Sequence, residues 1–166
     1  MSQITHPILG PIDLAASRSW YVEVNFGGRT VIVDLTIETA GLPESALQGL
    51  PQELADLEPL DRAARAAIVA DAKAVDEDSA AALYLTHHYD ELETKIYQRL
   101  FGGAAPDLDN PEPYLSRLRL VRVGLYPESD TRRIVLDYSI DPDMTHYLLC
   151  VGFDSANKVV SVELES

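Results

Sequence analysis

Between Tyr114 and Ser166, four β-patterned runs follow one another with short turns between them, and this stretch constrains the fold more than any other. Leu118, Leu120 and the segment Val121-Arg122-Val123 lead to Tyr126-Pro127, where the proline ends a strand. Ile134, Leu136, Tyr138 and Ile140 alternate along the second run, and Tyr147, Leu149, Val151 and Phe153 oppose Leu148, Cys150 and Gly152 along the third. Val160, Val162 and Leu164 form the fourth. Apolar residues at period two point to one face of a strand, and Asp141-Pro142-Asp143 and Asp154 to Asn157 are turn-forming segments. A four-stranded antiparallel meander is expected. Its pattern continues to Ser166, so no room is expected there for an appended catalytic tail or targeting signal.

The first third is also strand-like. Trp20, Val22, Val24 and Phe26 alternate with Tyr21, Glu23 and Asn25; after Gly27-Gly28, Val31, Val33, Leu35 and Ile37 alternate with Ile32, Asp34 and Thr36. Two such runs around a Gly-Gly pair predict a hairpin with a positive-φ turn. Thr5 to Leu14 carries Pro7, Gly10 and Pro11, so a short, interrupted edge strand is expected there.

The middle is helical by pattern. Pro43 and Pro51 suggest two short helices, and from Pro59 a stripe of Leu60, Ala64, Ala67, Ile68, Ala72 and Val75 predicts a longer one. The run Asp76-Glu77-Asp78-Ser79 closes that helix and opens another. Leu85, Tyr89, Leu92, Ile96 and Leu100 are its expected buried stripe, Gly102-Gly103 its stop, and residues 104–113 a loop. Strands, then helices, then strands make an α+β fold over residues 1–166 as a single domain. Its sheet is mainly antiparallel, built from the N-terminal hairpin and the C-terminal meander, with the central helices packed on one face.

Charge narrows the partners. Of a net −14, residues 1–37 carry three acids and two bases, residues 38–113 sixteen and five, and residues 114–166 eight and six. Such a field repels phosphate backbones and anionic lipid surfaces, so neither nucleic acid nor membrane is an expected partner. Solvated helix faces account for the acidic middle; a basic protein partner is the functional alternative. One cysteine, Cys150, rules out an internal disulfide and fits a reducing compartment. No apolar run approaches the roughly 20 residues needed to span a bilayer, and the N-terminus has no secretory pattern, so a cytoplasmic location is expected.

Candidate chemistry is sparse. His87 and His88 point about 100° apart on a helix, so they do not readily share a metal. Spacings of three or four pair His87 with Asp90 or Glu91 and His88 with Glu91, and a third ligand would have to come from His146 or His6. One histidine at the helix–sheet seam and the other exposed is the simpler reading. Asp34, Asp137 and Glu163 fall within strands and would suit acid–base work if buried; pairing with Arg119, Arg122, Arg132 or Arg133 is the alternative. Cys150 between Leu149 and Val151 reads as a small hydrophobe. Tyr21, Tyr84, Tyr97 and Tyr114 are read as exposed aromatics suited to an interface. No phosphate loop, nucleophile elbow or paired-cysteine motif is present, and no cofactor is expected.

Several segments together resemble the bacterial domain-of-unknown-function family DUF2004. They are Thr5 to Gly10, Trp20 to Leu35, His87 to Leu92, Val123 to Pro127, Leu136 to Ile140, Thr145 to Asp154 and Glu163 to Ser166. The resemblance spans nearly the whole chain and implies no activity and no site residues. Where that family often carries an acid after the threonine of the third strand, this chain has His146, so a role of that acid would not carry over. The expectation is a non-enzymatic, intracellular protein-binding domain, immunity-like or regulatory, whose acidic surface, in the helical middle, covers a basic partner. The alternatives are a metal-binding or hydrolytic enzyme using His87, His88 and a strand carboxylate, and a subunit that self-associates through a sheet edge.

Overall fold

The computed structural model of the chain describes residues 3–74, 76 and 78–166, and the expectations for Val75 and Glu77 lie outside the described residues. Strands β1 (Gln3–His6) and β2 (Gly10–Asp13) form a small antiparallel hairpin of their own rather than an edge of the main sheet. Strands β3 (Arg18–Phe26) and β4 (Arg29–Ile37) pair without a register shift around Gly27-Gly28. Those glycines have φ of 60° and 78°, the geometry of a two-residue turn whose twist matches its strands.

Two single 3-10 turns, Glu44–Leu47 and Leu54–Asp56, precede four helices: α1 (Leu57–Lys73), α2 (Ala80–Glu91), α3 (Thr94–Phe101) and α4 (Glu112–Leu115). The meander follows as β5 (Arg119–Leu125), β6 (Ile134–Ser139), β7 (Leu148–Phe153) and β8 (Val159–Glu165). The six-stranded sheet runs β3-β4-β5-β6-β7-β8, so spatial order equals chain order. Every pair is antiparallel except β4 with β5. That exception has a cause: parallel neighbours need a long crossover, and all four helices lie in this one connection.

Register partners share a sheet face, and the two faces differ in chemistry. Val33, Val123, Leu136, Val151 and Val162 form one row, and Leu35, Leu125, Ile134 and Phe153 form the next. Both rows meet the helices, and apart from half-buried Val162 they are all but fully buried. In α1, Leu57, Leu60, Ala64, Ile68 and Ala72 face this core. Ser79 caps α2 by accepting from Ala82 N, while the Asp71 carboxylate takes Ala81 N and the Ser79 hydroxyl.

The single long helix expected over residues 80–100 is two, because Leu92 and Glu93 turn extended (ψ 141° and 137°). The break resets the helical phase. Tyr84, Leu85 and His88, then Tyr97, Leu100 and Phe101, are buried, whereas Tyr89 is 44% exposed and Leu92 and Ile96 are half-buried. Tyr84 and Tyr97 are therefore not surface aromatics. Each can be buried because its hydroxyl is paired: Tyr84 Oη accepts from Ile140 N, and Tyr97 Oη donates to Ala104 O. Burial pushes both phenols up to about 12. Tyr21 does face solvent, at 76% exposure. The loop expected over 104–113 also ends earlier, as Glu112 opens α4. No helix among the described residues is long and apolar enough to cross a membrane.

Candidate functional site

On the face of the sheet away from the helices, one row reads Glu23, Ile32, Arg122, Asp137, Cys150 and Glu163 across all six strands. The next reads Tyr21, Asp34, Gly124, Val135, Gly152 and Ser161. A register shift between Leu120 and Arg122 puts Arg122 on this face: the extra residue lets both Leu120 and Val123 point into the core. The glycines leave room for arginines to lie flat. A Cβ on Gly124 would sit 2.8 Å from Tyr126 Cε2 and 3.1 Å from Arg122 Nη2, and one on Gly152 would sit 2.7 Å from Ser161 Oγ and 3.2 Å from Arg132 Cγ. Gly152→Ala is expected to cost about 1–3 kcal/mol by forcing these packed groups apart, read as a lower urea midpoint at unchanged slope.

Arg122 is the hub. It grips Asp34 with two parallel bonds, Nε to Oδ1 at 2.7 Å and Nη2 to Oδ2 at 2.9 Å. Nη1 donates to Asp137 Oδ2 at 2.9 Å and Nη2 also to Tyr126 Oη at 2.7 Å. Burial works against the guanidinium charge, but the bonds to Asp34, Tyr126 and Asp137 outweigh it and raise the Arg122 pKa. Asp137 goes the other way. Its side chain is 4% exposed, and burial raises its pKa even though Arg122 pulls against that. The two directions are compatible, since Arg122 is a third exposed and holds two carboxylates while Asp137 is sealed in and holds one cation. Among the described residues, Asp137 Oδ1 makes no hydrogen bond of standard geometry, and the weak Cys150 thiol is a neighbouring donor.

Arg132 crosses from the β5–β6 turn to β8, with Nη1 2.8 Å from Glu163 Oε2 and Nη2 3.6 Å from Glu165 Oε1. Glu128 ties the same turn to the end of β4 by accepting from Glu38 N and Thr39 N, bonds that hold its carboxyl below the usual range. Between these groups lies an open cleft of about 440 Å³ lined by Thr36, Glu38, Arg122, Tyr126, Arg132 and Asp137, among others. Four carboxylates line it (Glu38, Glu128, Asp137 and Glu165) together with two guanidiniums, each already engaged by two acids: Arg122 by Asp34 and Asp137, Arg132 by Glu163 and Glu165. Such a surface repels an anion and attracts a cation.

The histidines are not brought together as metal ligands. His88 is 2% exposed, and both its nitrogens are used: Nδ1–H donates to Tyr84 O at 2.6 Å, which leaves Nε2 to accept from Thr145 Oγ1 at 2.8 Å. His87 lies against Tyr147 (ring centroids 4.3 Å), with Nε2 2.9 Å from Glu91 Oε2 but in no hydrogen bond of standard geometry. His146 is exposed on the turn before β7, and His6 is buried with Nδ1 accepting from Ile8 N and Leu9 N. Among the described residues no three His, Cys, Asp or Glu side chains are grouped to hold a metal ion. Of the split expected for the pair, His88 is the histidine at the seam, but His87 is half-buried rather than exposed.

The remaining candidates are also engaged. Asp34 and Asp137 pair with Arg122 and Glu163 with Arg132, while Arg133 is buried and donates to the carbonyls of Pro127, Ala46 and Gln48 instead of to a carboxylate. Cys150 is fully buried; burial first, then the Asp137 and Glu165 charges, push its thiol up and keep it protonated.

Burial lowers the pKa of both His6 and His88. The unfolded chain therefore binds their protons first as pH falls. The stability held by these neutral imidazoles is complete above the unfolded value of 6.5 and drains away as pH drops from there toward the folded values. Denaturant midpoints should fall between about pH 7.5 and about pH 5, and His88→Phe should flatten part of that slope.

No family model, curated protein or solved structure matches the chain. The polar cleft lies between the end of β4 and the meander rather than in the helical middle to which the charge count pointed. Glu38, Tyr126, Glu128 and Glu165 were missed as site residues. The available signal was Gly124 and Gly152, since a glycine inside a strand marks a close approach of other atoms to the backbone.

Proposed function

We propose that this chain is a non-enzymatic protein-binding domain, immunity-like or regulatory in kind, whose helix-free cleft receives a lysine or arginine side chain of a basic protein partner. The cleft carries the reading: four carboxylates line it and its two arginines are each already paired with two acids, so its uncompensated charge is negative. Elsewhere Lys73 pairs with Glu112 and Arg65 with Asp61, while Arg117 and Arg133 donate to backbone carbonyls. The resemblance to the DUF2004 family brings no activity with it, and the proposed role rests on the cleft.

The test uses a short arginine-rich peptide titrated calorimetrically at low and high salt. Binding should weaken with salt. Glu38→Gln with Glu165→Gln should cut affinity about tenfold, the loss of two close charge pairs, whereas Asp90→Asn with Glu93→Gln on the helical surface should change it less than about twofold. Equal losses in both variants would mean diffuse attraction and no cleft site.

A further inference from the structure

We propose that the open edge of β3 pairs with β3 of a second copy, antiparallel about a two-fold axis at Val22, to make a dimer with one continuous sheet. Strand β3 ends the sheet, is nine residues long, and contains no proline, bulge or register shift. Edges left in that state are templates for another strand. The other edge is guarded: β8 enters through a register shift at Gly152/Phe153 and carries Glu163 and Glu165.

The geometry of the turn decides which groups face out. In a two-residue turn the flanking pair, Phe26 with Arg29, exchanges both backbone bonds, so the even-numbered residues of β3 bond to β4. Ser19, Tyr21, Glu23 and Asn25 then aim N–H and C=O at the empty edge. Side-chain burial tells the same story. Trp20, Val22, Val24 and Phe26 are each only half-buried, while Val31, Val33, Leu35 and Ile37 on β4 are about 1% exposed or less. The core continues past β4 and stops unfinished.

Charge and register select the occupant. Residues 1–37 are nearly neutral in a chain of net −14, so two copies meet there with the least repulsion. An axis at Glu23 would set that carboxylate against itself, whereas an axis at Val22 sets Tyr21 against Glu23 and Trp20 against Val24, twice over. In this register the apolar residues of both copies form one stripe and no like charges are opposed.

Sedimentation and Trp20 emission, from the chain's one tryptophan, follow the dimer. The mass should rise with concentration from 18.3 kDa toward twice that value, with emission moving to the blue as the indole is covered. Tyr21 is solvent-facing, so Tyr21→Glu should leave the fold intact by circular dichroism yet weaken association about tenfold, by placing like charges opposite each other on both sides of the axis. Adding Glu23→Lys should restore it. A single species of 18.3 kDa at high micromolar concentration, or a dimer indifferent to Tyr21→Glu, would overturn the proposal.

Discussion

Arg122→Leu should lower folding stability by about 3 kcal/mol, because removing one partner of a buried ion pair leaves the others charged and uncompensated. The stranded groups are Asp34, 13% exposed, and Asp137, 4% exposed. The loss should shrink in acid. Asp137 has a folded pKa raised above its unfolded value, so its charge costs stability at neutral pH and that cost recedes as pH falls through the folded value. For the same reason Asp137→Asn alone should leave stability at neutral pH unchanged or slightly higher. Combined with Arg122→Leu it should recover part of the loss. Urea midpoints of the four proteins form a double-mutant cycle. A cost under about 1 kcal/mol for Arg122→Leu would mean that the sheet face does not depend on this hub.

His88→Ala should cost about 2–4 kcal/mol, and His87→Ala less than about 0.5 kcal/mol. The imidazole of His88 fills space against Tyr84 (ring centroids 4.2 Å) and Phe101 (6.1 Å). It also satisfies Thr145 on the approach to β7, so it fastens α2 to the meander. A structural histidine of this kind shows in the unfolding midpoint. A ligand would show instead as stoichiometric metal lost from both variants, and that result in untagged protein would contradict the reading of His88.

How much of this was legible in the sequence differed by element. The alternation of Ile134, Leu136, Tyr138 and Ile140, and of Val31, Val33, Leu35 and Ile37, fixes which face each strand buries, because strand geometry has a strict period of two. The β5 irregularity, where Leu118 and Leu120 give way to Val121 and Val123, shows only in the pairing with β6, which reveals that Arg122 is what it re-aims. The α2–α3 break was not legible. Leu85, Tyr89, Leu92, Ile96 and Leu100 satisfy a helical period, and tertiary packing overrode it to bury two tyrosines with hydroxyl partners.

The cleft was half legible. Asp34, Asp137 and Arg122 could be named as strand residues able to pair, but strand order brings them together, and with one parallel pair among six strands that order does not follow from local pattern. Glu38, Glu128 and Glu165 lie at strand ends or in a turn, where sequence gives no register at all.

The central claim is that a basic side chain docks in the helix-free cleft. It is tested most directly by mapping backbone amide shifts during titration with an arginine-rich peptide. The account predicts that the saturable shifts concentrate at Thr36, Glu38, Tyr126, Glu128, Asp137 and Glu165. Shifts confined to the acidic helices, with these residues unmoved, would contradict it.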